Sequence, residues 1–389
     1  MTTATTTALS FSVLKENLSA ALAIVGRTIG DRKTPLPIST HVLLETNGDW
    51  LTLRSTDLMG FTTHLTPAKV EGQGAVCLPF DRLRDFVAAL PNDRIDFALA
   101  ENGRNVTITC ARRTARIAGI EASEFPPART APTGSVEITI AAPVLREGLR
   151  RVIKNAAAGN DPRPVLRGVY MAFKGATLTL ATADGFRLAE QRLTLPEPVD
   201  EPRTALIPAT LMSEVYGLLA KEDGQVTIML PPNGSAGSFV HFVTGRTDIA
   251  CIQVEGMFPS YQQLIPRQTS DLLTLDCTEL TNAVRTVATL GEGRLRLLPH
   301  QGEPGSLTIT AKGEVDNATS EIDAILRGSP SKIALMSGFA LDALDALGPG
   351  QITLQTSMPS SPMVFRKVDD ADYLHVIMPL FVEWGEGAE

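Results

Sequence analysis

Apolar side chains recur at helical spacing three times along the chain. Leu18, Leu22 and Val25, then Leu145, Leu149 and Val152, then Leu280, Val284 and Val287 each stand at i, i+4 and i+7. That spacing predicts one buried stripe on an amphipathic helix. Behind each stripe the period drops to two, which predicts strands paired about a turn. Residues 50–55 run into Thr56-Asp57 and out again over 58–65; residues 177–182 meet Asp184-Gly185 and leave over 187–193; residues 306–311 meet Lys312-Gly313 and leave over 318–325. A second helix follows in each case, over 83–90, 211–219 and 339–347. The first two of these are introduced by Pro79 and Pro208, residues that lose no hydrogen bond at a helix start. Alternating runs close each third: 94–100 with 105–120, 225–230 with 238–252, and 351–355 with 363–368.

Self-similarity at this period predicts one unit used three times. The fold class is therefore α+β, with two helices against mostly antiparallel strands in each repeat. Glu124-Phe125-Pro126 and Met257-Phe258-Pro259 end the first two repeats alike, and Pro-rich stretches follow them. The expected domains are 1–130, 131–269 and 270–389.

Composition narrows the function. The chain has 389 residues, 43% hydrophobic and 20% charged, with a net charge of −8. No run reaches the length of a membrane span and residues 1–10 lack the pattern of a signal peptide, so a cytoplasmic place is expected. Cys77, Cys110, Cys251 and Cys277 are far apart and form no CxxC pair, which suits small core residues of a reduced protein better than disulfide or metal roles. His41, His64, His241, His300 and His375 are scattered without metal-ligand spacing. No phosphate-cradling, nucleophile-elbow or HExxH motif occurs, and Asp57 and Asp184 sit at turns, where a carboxylate bonds its own backbone. Catalysis, cofactor and metal are all expected to be absent. An acidic sum still allows nucleic acid, because a basic lining inside an acidic exterior gives the same total.

Four stretches, in this order and spacing within a threefold repeat, resemble the bacterial sliding clamp, the beta subunit of DNA polymerase III. They are Thr34-Pro35-Leu36-Pro37-Ile38 with Ser55-Thr56-Asp57-Leu58, then residues 181–188, then Glu255-Gly256-Met257-Phe258-Pro259-Ser260-Tyr261, and last residues 373–380. The resemblance implies a head-to-tail homodimer of three-domain chains closed into a ring around double-stranded DNA, with helices lining the hole. It implies a processivity factor without catalysis of its own, whose partners are the clamp loader, the replicative polymerase and other replication and repair proteins. Location beside the nucleoid goes with that reading. Two alternatives stay open: a diverged clamp paralogue with other partners, and a repeat scaffold that binds only proteins.

A ring that slides should meet phosphates with Lys and Arg and read no base. Lys15, Arg27, Arg146, Arg150, Arg151 and Lys154 on the first helices suit this, Arg285 adds one in the third repeat, and solvated helix faces are the plain alternative. The cluster from Arg146 to Lys154 is opposed in sequence only by Glu147. By resemblance, Arg32 matches a loop arginine that touches DNA, and Arg163 is similarly placed. Resemblance also implies a partner-peptide cleft between the second and third repeats, built from Leu166, Ala183, Gly185, Phe186, Arg187, Leu188, Pro259, Leu264, Val376, Met378, Pro379 and Leu380.

The chain departs from the family where Phe186 stands for a common histidine and where Met336 and Phe339 stand for an Asn and a Tyr. It also continues past Leu380 to Glu389, so Phe381 and Trp384 are expected to pack over the cleft rim or compete with partners. Ring closure is expected between edge strands at 106–111 and 289–298, with Val106, Ile108, Leu290 and Leu295 in the interface.

Overall fold

The computed structural model describes residues 9–30, 36–100, 103–235, 237–266, 271–313, 316–329 and 331–382. Among the described residues six α-helices form where the stripes predict them: α1 (Lys15–Val25), α2 (Phe80–Ala89), α3 (Ala142–Val152), α4 (Ala209–Leu218), α5 (Cys277–Ala288) and α6 (Ser337–Leu347). In α1 the buried residues are Leu18, Ala21, Leu22 and Val25, and in α5 they include Leu280, Val284 and Val287. The start of α5 is fixed by Asp276, whose carboxylate accepts the backbone N–H groups of Thr278 and Glu279 at 2.8 and 3.0 Å.

Packing divides the chain into two compact bodies, Met1–Pro143 with Ser213–Gln253 and Val144–Met212 with Val254–Glu389. Neither body is one repeat, because sheets run across repeat junctions. In the first body a nine-stranded sheet joins Gly60–Pro67 of the first repeat to Thr247–Ile252 of the second, with Thr62 opposite Ile249. The same body holds a five-stranded sheet that ends at Arg113–Ala118. Leu18, Leu22, Val25, Phe11, Phe97, Leu83 and Val87 lie in the core between its sheets and α1 and α2.

In the second body a seven-stranded sheet joins Arg187–Pro208 of the second repeat to Asp370–Ile377 of the third, with Ala189 opposite His375. A separate four-stranded sheet runs Asn317–Asp323, Ser306–Lys312, Arg294–His300, Ile333–Met336. Two junctions of the same kind thus occur, one in each body.

Two of the long alternating runs prove to be hairpins. The run expected over 105–120 folds into Asn105–Cys110 and Arg113–Ala118, with Ala111 at φ 50° in the turn; the run over 238–252 folds into Phe239–Thr244 and Thr247–Ile252 about Gly245, φ 54°. Ala111 carries no turn signal in the sequence. Its left-handed backbone is imposed by the pairing on either side. Leu58, expected to open a strand, stands at φ 76° in the turn.

This overturns the expected closing edges. Asn105–Cys110 lies between two strands, and so does Arg294–His300. Val106, Ile108 and Leu295 are wholly buried, so none has a surface to offer; Leu290 is 47% exposed. The edge beside Asn105–Cys110 is Arg113–Ala118, and the four-stranded sheet is edged by Ile333–Met336 and Asn317–Asp323; Arg113–Ala118 and Asn317–Asp323 turn polar, charged faces to solvent.

Candidate functional site

All twelve residues expected to form the cleft lie in the second body, and its turn is built from one carboxylate. Asp184 Oδ1 accepts the backbone N–H groups of Phe186 and Arg187 at 2.8 and 2.9 Å, and Arg187 Nε donates to Asp184 Oδ2 at 3.0 Å. Gly185 takes φ 95°, a conformation that favours glycine. A Cβ there would come within 2.9 Å of Arg163 Nη1. Phe186 O accepts the Met378 N–H at 2.8 Å and Ala334 O accepts that of Leu380 at 2.7 Å, so the segment after the last strand is pinned to the turn at one point and to the strand Ile333–Met336 at the next.

Behind the turn lies an apolar floor of Ala181, Leu188, Tyr261, Val364, Leu374 and Val376, edged by Tyr170, Ala183, Phe258 and Ile265. Tyr170 and Phe258 stack with centroids 5.1 Å apart. Leu166 is buried, whereas Phe186 (63%), Leu264 (56%) and Met378 (42%) are exposed; Pro259 is exposed too, and Pro379 and Leu380 are half-buried. Apolar groups this exposed on pinned backbone make a surface suited to apolar peptide side chains. Phe339 lies under the Arg187 guanidinium at 4.4 Å. Phe381 is fully exposed, so it does not pack over the rim; Trp384 lies outside the described residues.

Beneath the floor, burial, with some help from Arg187, pushes the His375 pKa down to about 3. The ring is therefore neutral at pH 7, and its Nδ1 lies 3.0 Å from the Tyr373 hydroxyl. Burial first, and Glu190 second, push the Tyr261 hydroxyl far above its usual range. The four thiols are buried as well, and burial raises Cys77 to about 12, which is the opposite of an activated thiolate.

The expected DNA-facing cations turn out to have protein partners. Arg150 donates to both oxygens of Glu147 at 2.8 Å and to the carbonyls of Asp345 and Ala346 at the end of α6, at 2.9 and 3.1 Å. Lys154 pairs with Asp345 at 2.8 Å. Arg151 reaches Asp370 at 2.6 Å and Gln191 at 2.9 Å, and lies over the Tyr373 ring. Arg187 completes the set with Asp342 at 2.5 Å. Hydrogen bonds from Arg150 and Lys154 hold the Glu147 and Asp345 carboxyls below their usual range.

The sequence showed Glu147 as the only opposing charge because Asp345 and Asp370 are distant in the chain. Arg27, in the first body, donates to Gly217 O near the end of α4 at 3.0 Å and pairs with Glu214 at 3.3 Å. Lys15 donates to Ala88 O and Leu90 O at the end of α2. Cations at helix C-termini meet the negative end of the dipole. Arg163 grips Asp161 through two nitrogens and donates to Asp184 O at 2.9 Å, so it braces the cleft turn. Its hydrogen bonds hold the Asp161 carboxyl at about 2. Arg146 is half-buried on α3, and Arg32 lies outside the described residues.

Exposure sorts these cations. The Lys154 side chain is 56% exposed and surface pairs of this kind are worth about 0–1 kcal/mol, so a phosphate can replace Asp345 at little cost. Arg151, at 15%, is held in a half-buried network and cannot reach a phosphate without dismantling it.

Comparison with known proteins accounts for nearly the whole chain. Residues 9–129, 139–260 and 262–381 match the N-terminal, central and C-terminal domains of the DNA polymerase III beta subunit. The beta sliding clamp of Pseudomonas aeruginosa is 28% identical over 373 residues, covering 95% of this chain and 99% of that one. That of Synechocystis is 28% identical over 389 residues, covering 94% and 97%. A crystal structure of the P. aeruginosa subunit superposes with a TM-score of 0.88 at 26% identity, over 96% of this chain and all of that one. A second, of the P. aeruginosa clamp bound to griselimycin, gives 0.88 at 27%, with the same coverage. At 20% identity the Bacillus subtilis clamp shares the fold, with a TM-score of 0.90 and coverage of 97% and 100%.

Proposed function

Because the chain belongs to the DNA polymerase III beta subunit family, the sliding clamps that give a polymerase its processivity, we propose that two copies close head to tail around duplex DNA. The observation that carries this is a seam formed twice and left open once. Pairs beside the turns equate the repeats: Thr56–Phe61, Ala183–Leu188 and Lys312–Asn317 align one strand pair, and Ile108–Ala115, Phe242–Ile249 and Phe365–His375 align the other, the last with a bulge between it and the turn. On that footing Thr62–Ile249 and Ala189–His375 are equivalent cross-repeat pairs. The strands left without such a partner are Arg113–Ala118 and Asn317–Asp323. Pairing them between subunits sets Ala115 opposite the partner subunit's Ala318. That register also sets Arg112 opposite the partner subunit's Glu321, opposite charges that favour closure.

In this reading the domains are the three repeats, 1–130, 131–269 and 270–389. Lys154, Arg150, Arg27, Arg146 and Lys15 trade their protein partners for phosphates when DNA enters, Arg32 touches DNA from its loop, and Arg151 and Arg163 serve structure. The cleft takes peptides of the polymerase, the clamp loader and other partners, with no chemical step of its own, beside the nucleoid in the cytoplasm. Among the described residues no helix is long and apolar enough to cross a membrane.

Retention on nicked circular plasmid tests the ring. Loaded clamp should stay on the circle and leave once the plasmid is linearised; equal retention on both forms would contradict encirclement. Griselimycin serves as the cleft probe: it should bind with one site per chain, and Met378→Glu should weaken it at least tenfold. An unchanged affinity would place its site elsewhere.

A further inference from the structure

The first body contains the cleft's counterpart, and something already fills it. Asp57 Oδ1 accepts the backbone N–H groups of Met59 and Gly60 at 3.0 and 2.6 Å, as Asp184 does for Phe186 and Arg187. Leu58 takes the left-handed backbone of Gly185, at φ 76°. Met59 O accepts the Ile252 N–H at 2.9 Å, as Phe186 O accepts that of Met378. Met59, like Phe186, holds an exposed apolar side chain at the lip, 48% exposed.

The two sites part at the floor. Where Leu188 lies in the cleft, Phe61 meets Phe239 edge to face, and the Arg129 guanidinium sits 4.9 and 5.1 Å from the two ring centres. Arg129 comes from the stretch that leads from the first repeat into the second. With Ala128 and Phe125 it leaves a space of only ≈10 Å³ above Thr62 and Ala250, about one water.

We propose that this junction is a second peptide cleft held shut by the chain's own linker, with Arg129 as the occupant in place of a partner's side chain. The proposal rests on the cleft reading above only for its choice of probe. Arg129 is exposed, and cation–ring contacts at exposed positions are weak, so the cover is displaceable. A ligand must first move it, which lowers apparent affinity by the fraction open. What would displace it is an extended peptide that brings its own arginine or aromatic side chain to the two rings.

The test counts bound griselimycin by native mass spectrometry on the full chain, comparing wild type, Arg129→Ala and Arg129→Ala/Met59→Glu. Arg129→Ala should gain one site per chain over wild type, at least about tenfold tighter than any second binding to wild type. Met59→Glu should remove the gain. No gain in a variant whose melting temperature matches wild type would overturn the proposal, and so would a gain that survives Met59→Glu. The first cleft is read separately, from the wild-type count, since a wild type that binds none still leaves the difference between variants to decide.

Discussion

The junction in the first body and the junction in the second start from the same backbone and end as different surfaces. Both set an aspartate-closed turn against the strand of the following repeat, in the same register, with the same carbonyl accepting the same strand's N–H. In the first, Gly60 follows the turn, two phenylalanines fill the floor and Arg129 covers it. In the second, Arg187 stands at the position of Gly60, ties Asp184 to Asp342 and Lys154 O, and leaves the floor open beside Phe186 and Met378. A repeat thus supplies the frame, and single substitutions within it decide whether the frame is sealed or available.

Removing Arg187 breaks that difference most severely. Its side chain is only 10% exposed and bridges two carboxylates, so Arg187→Ala takes the cation from both and leaves Asp184 only its backbone N–H donors. We expect about 2–3 kcal/mol of lost stability, read by urea denaturation, together with loss of peptide binding. Gly60→Ala in the first junction should leave peptide binding intact, and a matching loss there would erase the distinction.

Acid sharpens the contrast. His375 is neutral in the fold with its pKa pushed down to about 3, whereas the unfolded imidazole binds its proton near 6.5. The stabilisation is therefore full above about 6.5 and falls by roughly 1.4 kcal/mol per unit as pH drops below it. His375→Gln should flatten the pH dependence of the melting temperature between 7 and 5, and an unchanged slope would remove His375 as the cause.

Two turn substitutions give the smallest and most direct comparison. Leu58 and Gly185 share the left-handed backbone. Leu58→Gly should be neutral or stabilise by up to about 1 kcal/mol, because relief of strain offsets the freer unfolded chain. Gly185→Ala should cost about 1 kcal/mol or more, since its Cβ also meets Arg163. Equal effects in thermal melts would mean the two turns are not under the same constraint.

The threefold plan was legible because helix stripes and alternating runs are local signals. Leu18, Leu145 and Leu280 mark it without any knowledge of contacts. What escaped was set at a distance. The turn at Ala111 has no Gly, Asn or Pro to announce it, so two strands read as one and the edge was drawn one strand too far inward. Lys154 looked unopposed because Asp345 is far along the chain, and Arg163 was assigned to DNA although its neighbours Asp161 and Asp184 make it a brace for the cleft. Acids at Glu214, Asp342 and Asp345, on α4 and α6, were the available hint, since cations elsewhere needed partners of that kind.

The deciding measurement is cross-linking of the double variant Ala115→Cys/Ala318→Cys with a short bis-maleimide, followed by mass analysis under denaturing conditions. The four native thiols are buried and spared. Closure through these strands gives a covalent species of twice 41.6 kDa, joined at 115 and 318, and none from either single variant. A product that stays at 41.6 kDa in a chain that otherwise folds would contradict closure through these two strands.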